Sequence, residues 1–149
     1  MAFIAYVYLF AVLFIADSMQ SSFLPCDGKP GPNSVEILGC KTLPCNLKRG
    51  TIVEGSIVFT ASASTKTLRP DVDVQLGNMH VKYPFPEQNA CKGLVSGSCP
   101  LEKGEVSTYF MRMPIERAYP KIGLTIQFAL VDEHNNYQMC FKIPAKVVD

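Results

Sequence analysis

Few side chains in this sequence stand at spacings that catalysis would use. In Gly93-Leu94-Val95-Ser96-Gly97 the serine comes one residue too late for the Gly-x-Ser-x-Gly elbow of a hydrolase nucleophile. No strand-to-helix pattern surrounds it, so Ser96 reads as a turn residue in the short loop between Cys91 and Cys99. His80 and His134 lie in polar neighbourhoods without a carboxylate at motif spacing, and neither has zinc-ligand spacing to a cysteine pair. Glu102 and Glu105 read as hairpin caps and not as an acid/base pair. There is no Gly-rich phosphate cradle. These residue types give no reason to expect an enzyme, a cofactor or a metal.

The other reactive side chains are six cysteines, Cys26, Cys40, Cys45, Cys91, Cys99 and Cys140. An even count behind a secretory segment is read as a disulfide framework. Cys40 and Cys45, and Cys91 and Cys99, are close enough along the chain to close local loops, which leaves Cys26 to meet Cys140 and tie the two ends together. The secretory segment is the opening MAFIAYVYLFAVLFIADS, uncharged and apolar through Ile15 and ending on small residues. A cleaved signal over residues 1–18 explains this better than a membrane span. The remaining residues, 19–149, are about 130 in number, enough for one domain with a single core. With 14 Lys and Arg against 13 Asp and Glu, scattered along the chain, no basic footprint for nucleic acid is present.

What must position these residues is an all-β scaffold. Alternation recurs along the chain, and no long segment keeps a helical period. From Thr51, Val53, Ile57 and Phe59 share a face; from Lys121, Ile122, Leu124, Ile126, Phe128 and Leu130 do. A strand over 106–113 alternates Tyr109, Met111 and Met113 with Phe110 and Arg112, leaving its inward face open. The last strand, 137–148, alternates Met139, Phe141, Ile143, Ala145 and Val147, with Pro144 expected at an edge or a bulge. Ser34 to Gly39 supplies a short opening strand. Between Val72 and Phe85 the parity of apolar positions flips at Gly77-Asn78, predicting a bulge or strand break there. Six or seven such strands suggest a two-sheet sandwich. Inward glycines at Gly55 and Gly123 hint at room between the sheets, although periodicity does not separate a packed core from a pocket.

One stretch, Pro84-Phe85-Pro86, pins a phenylalanine between two prolines that fix the backbone and withdraw two ladder donors. Such a ring is either clamped into a core or held at a doorway.

Gly39-Cys40, Pro44-Cys45-Asn46-Leu47, Pro84-Phe85-Pro86, Cys91-Lys92, Cys99-Pro100-Leu101, Tyr119-Pro120 and Cys140-Phe141-Lys142-Ile143-Pro144, in this order, resemble the ML lipid-recognition family and its Niemann-Pick type C2 branch. The resemblance covers nearly all of residues 19–149. It implies an immunoglobulin-like β-sandwich of two antiparallel sheets with an apolar cavity between them and the pairing Cys26–Cys140, Cys40–Cys45 and Cys91–Cys99. It further implies a secreted, non-catalytic monomer that carries a hydrophobic small molecule, a sterol or a fatty acid, to a membrane transporter or receptor, with lysosomal delivery as one destination. The alternative it brings is an extracellular immune adaptor presenting microbial lipid. By the same resemblance Phe85, Ile115 and Tyr119 frame the mouth of the pocket. Its wall draws on Val53, Ile57, Val74, Tyr83, Ile126, Phe128, Phe141 and Val147. Lys82 and Tyr83 depart from the family pattern, standing where sterol-carrying relatives have proline or smaller apolar residues.

Overall fold

The computed structural model describes residues 23–149, and the secretory segment expected over 1–18 lies outside them. The described strands are β1 (Leu24–Pro25), β2 (Ser34–Ile37), β3 (Cys45–Lys48), β4 (Thr51–Thr60), β5 (Arg69–Leu76), β6 (Met79–Tyr83), β7 (Leu94–Ser96), β8 (Val106–Ile115), β9 (Gly123–Val131) and β10 (Tyr137–Val148). A single 3₁₀ turn, Ala90–Gly93, precedes β7. One sheet runs β1-β10-β9-β5-β6, with β3 also joined to β10; the other runs β2-β4-β8-β7. The strands pair antiparallel except β3, which lies parallel to β10. This is the two-sheet sandwich that alternation predicts, with inward faces packed into one core.

The parity flip at Gly77-Asn78 is a strand break, not a bulge. Gly77 adopts φ +59°, and the two residues turn β5 into β6. The pairs Val72 with Tyr83, Val74 with Val81 and Leu76 with Met79 then share one face of the hairpin. In β8 the buried face is Tyr109, Met111, Met113 and Ile115. Pro144 lies in a strand with neighbours on both sides, but along β10 the pairing with β1 ends at Lys142 and the pairing with β3 begins at Ala145. The proline therefore occupies the interval where that flank is unpaired, and it is locally an edge residue. The expected room at the two glycines is absent. A Cβ on Gly55 would stand 2.7 Å from Cδ1 of Ile37, and Gly123 is exposed.

All three disulfides join the expected partners, Cys26–Cys140, Cys40–Cys45 and Cys91–Cys99. The first spans 114 residues and packs with Ala129 and Val131 in a small second cluster, separate from the main core. In the chain-entropy account a closure of that length contributes about 4–5 kcal/mol.

At one end of the sandwich the turn after β9 is held by carboxylates. Asp132 accepts from the amides of His134 and Asn136, both at 2.9 Å, and from Gln138 Nε2 at 3.0 Å. Glu133 accepts from the Thr65 hydroxyl at 2.6 Å and from the amides of Lys66 and Thr67. The Thr65 hydroxyl, with backbone amides behind it, holds the Glu133 carboxyl down at about 2, from 4.5. A depressed carboxyl stabilises the fold fully above its unfolded value and loses that contribution as pH falls toward 2. Glu133→Gln is therefore expected to lower Tm at neutral pH, with the gap to the parent closing between pH 4.5 and pH 2. Thermal melts of both proteins across that range check this; a gap independent of pH would contradict it.

Candidate functional site

Pairing register places the inward side chains of the larger sheet in rows. One row is Tyr83, Val72, Phe128 and Phe141, and the next is Val81, Val74, Ile126 and Ile143. Beyond them the sheet presents Leu124 beside Ala145, and Val147 beside Leu47. Rings thus fill one level of the gap, and aliphatic side chains line the levels beyond it.

Where the rings stop, a cavity of about 230 Å³ opens between the sheets. Its inner wall is Leu47, Val74, Met113, Ile126 and Val147, and its outer part is framed by Val81, Tyr83 and Pro84 from the β5–β6 hairpin and by Ile115, Tyr119 and Ile122 around the β8–β9 loop. Among the described residues Lys82 is the one charged member of this lining, and its ammonium group points to Asp71, 3.0 Å away. That hydrogen bond raises the lysine's pKa. The chamber is therefore apolar, with its polar atoms confined to the mouth.

Two contacts fix the mouth. The Tyr83 hydroxyl donates to the Pro114 carbonyl at 2.9 Å, linking β6 of one sheet to β8 of the other. Burial, then the Tyr119 hydroxyl and the Glu116 carboxylate, push the Tyr83 phenol up, so it keeps its proton. On the opposite side Arg49 donates to the carbonyls of Arg117 and Tyr119, at 3.3 and 3.4 Å, while its other nitrogen pairs with Asp149. The β8–β9 loop is held from beneath by this guanidinium.

The residues expected at the site fall into three groups. Ile115, Tyr119, Val74, Tyr83, Ile126 and Val147 line the cavity. Val53, Phe128 and Phe141 border a smaller void of about 30 Å³ deeper in the sandwich, which shares Leu47, Met113 and Ile126 with the first. Ile57 and Phe85 touch neither. Ile57 is wholly enclosed. Phe85, expected at the mouth, is 5 % exposed and stands behind it, its ring edge-on to Phe128 at 5.6 Å and to Tyr83 at 6.2 Å. The physical reason is parity: Tyr83 and Phe85 point the same way, the exposed Pro84 between them lies at the rim, and the first ring reached from outside is Tyr83. Phe85 is a core clamp that buttresses the tyrosine.

Leu47, Leu76, Val81, Met113, Ile122 and Leu124 also line the cavity and were not singled out from the sequence. Ile122 and Leu124 share the alternation of Ile126, and Met113 that of Tyr109, so their face was legible. Val81 follows from hairpin pairing with Val74. Leu47 carries no such signal, because its position depends on a parallel pairing with β10 about a hundred residues away.

The remaining candidate groups are structural. His80 meets Asp73 at 2.7 Å on an exposed hairpin face, Glu105 caps the amide of Glu102 at 3.0 Å, and Ser96 belongs to the edge strand β7. Among the described residues no three His, Cys, Asp or Glu side chains are grouped to hold a metal ion.

Residues 20–147 match the profile of the ML domain family. The chain belongs to this family. Its relatives include the NPC intracellular cholesterol transporter 2 of Mus musculus, 30 % identical over 144 residues with 96 % of this chain and 95 % of the relative covered. The homolog a of that transporter from Drosophila melanogaster is 33 % identical over 130 residues, covering 84 % of this chain and 86 % of the relative. Among solved structures, a Niemann-Pick type C2 protein from Japanese carpenter ant superposes with a TM-score of 0.76 at 27 % identity, covering 85 % of this chain and 98 % of the other. Membership of the Niemann-Pick type C2 branch makes this ML domain a binding module and not an enzyme.

Since Phe85 packs between Tyr83 and Phe128, Phe85→Ala is expected to cost about 3–5 kcal/mol of stability. Urea unfolding checks this, and a midpoint equal to the parent's would contradict the clamp.

Proposed function

We propose that this protein is a secreted, non-enzymatic carrier that holds one hydrophobic molecule, a sterol, a long-chain fatty acid or a related signal lipid, between its sheets and hands it to a membrane or a receptor. The observation that carries this reading is the apolar chamber reached between the β5–β6 hairpin and the β8–β9 loop. Ile115, Tyr119 and Tyr83 frame its entrance, and Val74, Ile126 and Val147 form its wall; Val53, Phe128 and Phe141 stand at the inner end. Two relatives are named as cholesterol transporters, which supports a lipid ligand here.

Affinity needs no charged anchor. Each buried CH₂ contributes about 0.8 kcal/mol of transfer free energy, so a long chain gains on the order of 10 kcal/mol before association costs. The cavity is smaller than the usual range of about 300–1,000 Å³, so a full-length lipid enters by displacing side chains. Met113, flexible and shared by both voids, is the natural side chain to yield. Residues 1–18 serve as the secretory signal and 19–149 as the single carrier domain, acting as a monomer. Three disulfides suit extracellular fluid or the lysosome.

Native mass spectrometry of the mature protein mixed with equal cholesterol and oleic acid tests the reading. One added ligand mass is expected, and Leu124→Trp, which fills the chamber from a half-buried position, is expected to abolish it while the melting curve stays cooperative. A parent that shows only its bare mass, or a Leu124→Trp variant loaded like the parent, would overturn it.

A further inference from the structure

The bond that closes the mouth also limits what enters. The two sheets pack face to face at close-packed density, so the gap widens only if contacts across it yield. Across this mouth Tyr83 Oη donates to the Pro114 carbonyl at 2.9 Å, partly buried. The tyrosine is not free to swing aside. Phe85 stands edge-on behind it, Phe85 rests on Phe128, and Phe128 on Phe141, with centroid separations of 6.2, 5.6 and 5.6 Å. Opposite it, Tyr119 sits on a loop pinned by Arg49.

The space behind that latch suits a thin, flexible molecule. The chamber of about 230 Å³ and the void of about 30 Å³ adjoin, sharing Leu47, Met113 and Ile126 in their walls. A polymethylene chain can pass the latch in narrow cross-section, bend, and extend toward the second void by shifting Met113. A fused-ring slab cannot change its cross-section, so its entry requires the sheets to part and the bond between Tyr83 and Pro114 to break without replacement.

We propose that Tyr83 is the specificity-determining residue of the cavity: by latching the two sheets through the Pro114 carbonyl, it selects slender chain lipids and excludes molecules of sterol thickness. This rests on the carrier reading and narrows its ligand class. The ring blocks the widest path, and the hydroxyl holds the ring. The two parts are separable by mutation, because Tyr83→Phe keeps the ring and its packing on Phe85 while deleting the bond, and Tyr83→Val removes both.

The test is a competition read by native mass spectrometry, with oleic acid and cholesterol at equal concentration, on the mature parent, Tyr83→Phe and Tyr83→Val. The parent is expected to carry oleic acid in clear excess. In Tyr83→Phe the ratio of cholesterol-bound to oleate-bound protein rises roughly two- to tenfold, the range set by one net hydrogen bond, and in Tyr83→Val it rises further. A parent that loads cholesterol as readily as oleic acid overturns the proposal while leaving the carrier reading intact, even if neither variant folds. A ratio unchanged in a folded Tyr83→Phe also overturns it. A parent that binds neither lipid overturns the carrier reading and this inference with it.

Discussion

The distance between the two sheets governs everything else in this molecule. Face-to-face sheets stand about 10 Å apart, and inward side chains must fill that space or leave it empty. At the level of Phe128 and Phe141 rings do the filling, with Tyr109 contributed by the opposite sheet. Beyond that level the same strands present Val74, Ile126, Leu124 and Val147, too short to meet Met113 and Ile115 across the gap without leaving space. The cavity is the consequence of which rows carry rings. It is walled by the core and continuous with it, so the residues that stabilise the fold also line the cavity.

Holding that gap at a fixed width needs ties at several places. The disulfide between Cys26 and Cys140 fastens the first strand to the last, away from the main core. Glu133 and Asp132 hold the turns at one end, and Gln138, buried by the bulge between Tyr137 and Met139, accepts the Ser62 amide there at 2.9 Å. At the other end stand the contact of Tyr83 with Pro114, the Arg49 bonds to the β8–β9 loop and the Asp149 carboxylate shared by Arg49 and Lys121.

Much of this was legible in the sequence. Alternation in 51–60, 121–130 and 137–148 gave the strands and their buried faces, and short cysteine spacings together with the family resemblance gave the bridges. The parity change at Gly77-Asn78 marked a real turn, although parity alone does not distinguish a bulge from a hairpin. The misplacement of Phe85 has a physical cause: flanking prolines show that the backbone is fixed, not whether the ring points to the rim or behind it. Gly55 misled for a related reason, since a missing side chain leaves room only if no neighbour, here Ile37, occupies it. Nothing local announced the parallel pairing of β3 with β10 that brings Leu47 to the cavity wall.

The central claim is that lipid lies between the sheets, in the chamber bounded by the β5–β6 hairpin and the β8–β9 loop. Photolabelling tests it most directly: a fatty acid with a diazirine in mid-chain is bound, irradiated, and its attachment sites are mapped by peptide mass spectrometry. The account predicts label on the inward residues Leu47, Val74, Met113, Ile115, Ile126 and Val147. Label confined to exposed apolar residues such as Leu38, Val95 and Val106, which lie outside the chamber, would contradict it.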